Sequence, residues 1–161
     1  MFAKKRLTWV LALAATTVIS ACDDDPTNVE DEHGDAAQVQ LSMNLIPFAT
    51  FTFATNTWVG EMEVEEGMET PHIDVEFLDE DGDVIAFDAD FYLEVEVEDE
   101  TIAEFEQDTP GEFGGHLHGE MAGETDVRFS LMHGAVGTGH ADLTTAWVHA
   151  HVEAPSPPAS N

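Results

Sequence analysis

The residues of this chain best suited to chemistry are its histidines. There are eight, and six of them fall between His116 and His151. Two pairs stand out, His116-Leu117-His118 and His149-Ala150-His151. On an extended strand residues i and i+2 share a face, so each pair presents two imidazoles on one side. That is a chelating arrangement for zinc, copper or nickel, which all accept neutral imidazole. His133 and His140 bracket Gly134-Ala135-Val136-Gly137-Thr138-Gly139, a loop able to close on an ion. Met121 and Met132 offer thioethers that suit Cu(I). Histidine is also tolerated on any wet strand face, so a lone pair would be surface decoration. The concentration of His116, His118, His133, His140, His149 and His151 in one stretch makes them the expected metal ligands. If the strands of His116 and His149 lie in opposite sheets, the two pairs cannot share an ion.

Other clusters read more plainly. Asp79-Glu80-Asp81-Gly82-Asp83 resembles a calcium loop in composition, but Phe77 stands at the first ligand position and Asp88 where a bidentate glutamate belongs. A turn with Gly82 at positive φ explains it without a cation. Glu94, Glu96 and Glu98 share one strand face, where they form a solvated surface and discourage edge pairing. No serine or cysteine triad is apparent, and Cys22 is the single thiol. The chain is read as a non-enzyme.

These side chains need elements to position them, and period-two alternation supplies them. Ile73, Val75 and Phe77 alternate with His72, Asp74 and Glu76. Phe91, Leu93, Val95 and Val97 alternate with Tyr92, Glu94, Glu96 and Glu98. The same pattern runs through Asp126–Leu131 and Thr145–Val152. Such runs are strands with one buried face. Further strands are expected at Thr50–Thr55, Trp58–Glu65, Val84–Phe87, Thr101–Glu106 and Glu112–Gly119, with turns at the intervening glycines. No amphipathic helix emerges. The expected architecture is all-β, an antiparallel sandwich of roughly seven to nine strands.

The chain has 34 acidic and four basic residues in 161, a formal charge of −30. A surface this negative repels phosphate, which excludes nucleic acid as a partner. Such charge often signals disorder, but 43% of the residues are hydrophobic and patterned, so a body should fold. Three of the basic residues, Lys4, Lys5 and Arg6, precede the uncharged apolar run Leu7–Ile19. A positive start, a short apolar stretch and small residues at its end describe a secretory signal peptide over residues 1–21, helical as it is recognised. Beyond it, Arg128 alone faces all the acids. Residues 22–40 read as a flexible acidic tether, 41–153 as the body and 154–161 as a disordered Pro-Ser tail.

Ile19-Ser20-Ala21-Cys22 resembles the lipobox of bacterial lipoproteins. The resemblance implies lipidation of Cys22 and a membrane anchor in the cell envelope, facing the periplasm or the exterior. In the body, Ile73–Gly82 looks like the second strand and turn of bacterial Ig-like domains of the group 2 kind. Asp99–Phe105 and Gly119–Thr125 are similar to a later strand and a small-residue turn of that family. This implies an Ig-like sandwich and no reaction. Finally, Phe113–Gly119 resembles the copper-binding strand of Cu,Zn superoxide dismutases. That likeness would assign His116 and His118 to copper, His133 as a bridge, and His140 and His149 to zinc. The late copper ligand of that family has no counterpart here, its aspartate falls at Val152, and its disulfide is missing.

The combined expectation is a lipid-anchored envelope protein that binds zinc or copper through its C-terminal histidines. The alternatives are an Ig-like interaction module holding another envelope protein, a pH-responsive binder, and a dismutase-like metalloenzyme.

Overall fold

The computed structural model describes residues 36–155. The leader, Cys22 and most of the tether and tail, on which the lipidation and anchoring expectations fall, lie outside the described residues.

The described chain is all-β, with eleven strands and no helix. They are β1 (Gln38–Met43), β2 (Ile46–Thr52), β3 (Thr57–Val59), β4 (Met62–Glu65), β5 (Ile73–Leu78) and β6 (Phe91–Val97). The remainder are β7 (Ala103–Glu106), β8 (Gly114–Gly119), β9 (Gly123–His133), β10 (His140–Thr144) and β11 (Val148–Glu153). A six-stranded sheet runs β3-β2-β1-β5-β8-β7. The second sheet is built on β9. Its residues Val127–His133 pair with β6 on one edge, while β10 and then β11 follow each other along the other edge. β4 lies outside β11.

Alternation decides which side chains enter the core. Val127, Phe129 and Leu131 of β9 point inward with Val148, Ala150 and Val152 of β11, and all six are essentially inaccessible. From the other sheet Val39, Leu41, Phe51, Ile73, Phe77 and Leu117 meet them. Burying a side chain of this size contributes about 1.5–3 kcal/mol, which is what holds so acidic a chain closed.

Several expectations need correction. The stretch Trp58–Glu65 is two strands in different sheets, because the chain crosses between layers at Gly60. That glycine has φ +96°, and a Cβ there would stand 2.2 Å from the Phe48 carbonyl oxygen. The body also begins before residue 41: Gln38, Val39 and Gln40, assigned to the tether by their polarity, belong to β1, and Val39 is fully buried. Val84–Phe87 forms no strand, only a bridge from Val84 to Leu78. Nor is the sandwich wholly antiparallel, since β11 runs parallel to β4 with Ala150 opposite Met62.

Candidate metal centre

The six expected ligands are divided among three places. His149 and His151 lie on the outer face of β11, and His116 and His118 on the outer face of β8, in the opposite sheet. His133 and His140 form the third place, at the end of the β9–β10 hairpin. The dismutase-like set is therefore not assembled, because His133 does not lie between the ligands it would bridge.

The His-x-His pairs keep their common faces, yet three of the four rings are already engaged by oxygens of their own neighbourhood. His149 Nδ1 is 3.4 Å from Asp126 Oδ1, its cross-strand neighbour. His151 stands in register between Glu63 and Glu124. His118 Nε2 lies 3.3 Å from Glu106 and 3.7 Å from Glu69. His116 Nδ1 is 2.9 Å from the Thr70 carbonyl oxygen. A carbonyl only accepts, so Nδ1 carries the proton. That bond holds the His116 imidazolium above its ordinary range, burial opposes it, and the Asp108, Glu69 and Glu106 carboxylates add to the rise.

The third place is the best built. Gly134–Gly139 turns the chain so that His133 and His140 are direct cross-strand partners, with ring centroids 5.4 Å apart. His133 follows the inward parity of Val127, Phe129 and Leu131 and lies where the inner face opens at the end of the sandwich. There it stacks on Phe91 at 4.5 Å, with the planes within 12°. Phe91 is buried, so one imidazole face is fixed against the core. Asp142 completes the group. The β9–β10 register shifts between Ala141 and Leu143, which makes Asp142 the extra residue of a bulge. Bulges re-aim side chains, and this one turns the carboxylate toward the two rings. Asp142 Oδ1 is 3.0 Å from His140 Nε2 and Oδ2 is 3.8 Å from His133 Nδ1. One ligand atom from each of the three residues lies within 4.8 Å of the others. The Asp142 side chain is 17% exposed and that of His140 is 72% exposed, so the site is anchored below and open above.

Asp142 escaped the sequence reading because a bulge breaks the period on which alternation relies. His72, Asp108 and Glu112 form a second group with ligand atoms within 4.8 Å, also unread beforehand. Asp108 and Glu112 lie in a connecting loop that only the pairing of β5 with β8 brings to His72. Met121 is exposed and Met132 buried; neither belongs to these groups. In the acidic turn, Asp79 Oδ1 accepts from the backbone N–H groups of Asp81 and Asp83, each at 2.9 Å, as a turn requires.

Compared with known proteins, the chain matches no family model and no curated sequence.

Proposed function

We propose that this protein is a non-enzymatic metal-binding protein of the bacterial cell envelope, tethered through a lipid on Cys22, that takes zinc or copper at His133, His140 and Asp142. The observation that carries the reading is the β10 bulge, which sets a carboxylate beside two cross-strand imidazoles. Two nitrogens and one oxygen, with a side open to water or a fourth ligand, suit Zn²⁺ or Cu²⁺. Phe91 supports it further, because a ring stacked on the core loses little freedom when a metal binds. The acidic coat draws cations to the open side. An open site of this kind serves a scavenger, buffer or delivery accessory, in which the ion must enter and leave.

Calorimetry on the full chain in detergent tests this. Binding of Zn²⁺ or Cu²⁺ tighter than about micromolar is expected, in the range of sites that couple metal to structure. In the His133→Ala/His140→Ala variant the affinity of that site should be lost. A titration identical to that of the unaltered chain overturns the assignment.

A further inference from the structure

We propose that the protein carries a second cation site, formed by His72, His116 and Asp108 with Glu112 beside them, which takes a divalent transition metal independently of the first. His72 immediately precedes β5 and His116 lies on β8, and these strands pair at Ile73–Gly115 and Asp74–Gly114. The pairing sets the two imidazoles edge to face with centroids 5.3 Å apart.

Each ring has an oxygen beside its Nδ1, a hydrogen-bonded carbonyl for His116 and a nearby carboxylate for His72. His72 Nδ1 faces Asp74 Oδ1 at 3.4 Å, and His116 Nδ1 donates to the Thr70 carbonyl. Both Nε2 atoms then face one carboxylate: His72 Nε2 is 3.9 Å from Asp108 Oδ2, and His116 Nε2 is 3.8 Å from Asp108 Oδ1. An imidazole tied at one nitrogen by a carboxylate or carbonyl, with the other aimed inward, is the usual support of a metal-bound histidine. The 3.8–3.9 Å gaps are too long for direct hydrogen bonds. Ligands about 2.0–2.2 Å from a tetrahedral ion stand about 3.3–3.6 Å apart, so the two gaps to Asp108 need a contraction of only a few tenths of an ångström. Glu112 spends Oε1 on the Thr109 N–H and has a second oxygen to offer.

The backbone also makes room for this arrangement. A Cβ on Gly114 would stand 2.4 Å from His72 Cε1 and 2.6 Å from the Ile73 carbonyl oxygen. Only a glycine lets the His72 ring lie where it faces His116. Asp108 is itself 64% exposed, so it is the ligand that an incoming ion can reach first and the one whose replacement disturbs no packing.

The experiment is a Cu²⁺ titration of the full chain in detergent, followed by NMR of the imidazole resonances. Cu²⁺ should broaden the His72 and His116 rings, and should still do so in the His133→Ala/His140→Ala variant. Asp108→Ala should raise the Cu²⁺ needed by about tenfold or more, the scale on which losing a site's supporting groups acts. Sharp His72 and His116 resonances at two equivalents of Cu²⁺ overturn the second site, as does an unchanged titration in Asp108→Ala. If these two rings broaden while His133 and His140 stay sharp, and Zn²⁺ calorimetry shows no binding that the His133→Ala/His140→Ala change removes, the proposed function fails and the second site stands.

Discussion

Trp58 Nε1 donates a 2.7 Å hydrogen bond to the carbonyl oxygen of Ala146, joining β3 of one sheet to the break between β10 and β11 in the other. The break at Thr145–Trp147 takes the Ala146 carbonyl out of the ladder, and the indole supplies the missing donor. The same ring packs on Phe51 at 5.4 Å and Phe129 at 6.0 Å. Trp58→Phe keeps an aromatic ring but leaves the carbonyl without this partner. It should lower stability by about 1–2 kcal/mol in urea unfolding. Unaltered stability would mean that water satisfies the carbonyl equally well.

Asp142 separates a carboxylate ligand from a mere hydrogen-bond acceptor. A metal takes the lone pair of a neutral imidazole, so protons compete with the ion for both rings. Zn²⁺ binding should therefore release protons, seen as a dependence of the calorimetric enthalpy on buffer ionisation. Affinity should fall as the solution is acidified. Asp142→Asn keeps the size and removes the charge, and should weaken binding by about tenfold or more. Equal affinity in Asp142→Asn would place the carboxylate outside the metal's ligand set.

Asp99 governs part of the acid limb. Its Oδ1 accepts from the Thr101 hydroxyl at 2.7 Å and the Thr101 N–H at 3.0 Å, and these bonds hold its carboxyl below the ordinary range. A depressed folded pKa gives stability that is present above the unfolded value near 3.8 and lost as pH falls through the folded one. Asp99→Asn should therefore flatten the dependence of stability on pH below that value, lowering stability at neutral pH and changing it little at the acid end. Urea titrations between about pH 2 and pH 5 read this directly. Curves that stay parallel to those of the unaltered chain would contradict it.

Arg128, the sole arginine or lysine beyond Arg6, pairs with Glu96 across β6 and β9. Its guanidinium carbon also lies 4.5 Å from the centre of the Trp147 ring. Arg128→Ala should cost about 1 kcal/mol from the combined loss of a surface ion pair and a cation–π contact. Arg128→Lys keeps the charge without the planar stack and should fall between. If Lys restores full stability, charge alone matters at this position.

Strands with unbroken alternation were legible from the sequence, and so was the β-sandwich. β5 and β6 carry an apolar residue at every second position and form where that pattern lies; β9 does so over Val127–Leu131 but starts at Gly123, inside the stretch Gly119–Thr125 expected as a turn. β1 was cut short because Gln38 and Gln40 flank a single valine, and composition outweighed the parity that links Val39 to Leu41. β10 was hidden by the glycines before it and by its bulge. The split at Gly60 was invisible because Trp58–Val59 and Met62–Glu65 continue one apolar pattern while changing sheets. For the candidate metal site, His133 and His140 were readable from the loop they bracket. Asp142 was not, since a bulged residue belongs to neither face. His72 and Asp108 meet only through strand pairing, a long-range relationship that local periodicity does not encode.

The parallel pairing of β4 with β11 also governs the order of events as the chain is made. Met62 waits for Ala150, so the last strand must arrive before one layer of the sandwich has its final neighbour. Contacts between such distant parts of a chain slow folding, because loop closure must precede the reward. A chain emerging from its amino-terminal end would thus stay open, with the β4 edge unpaired, through most of its synthesis. Truncation upstream of Val148 would remove β11 and leave β9 without a neighbour beside Gly123–Val127. Such a product would lack the strand that joins β9 to β4, so this layer can be completed only from its carboxyl-terminal end.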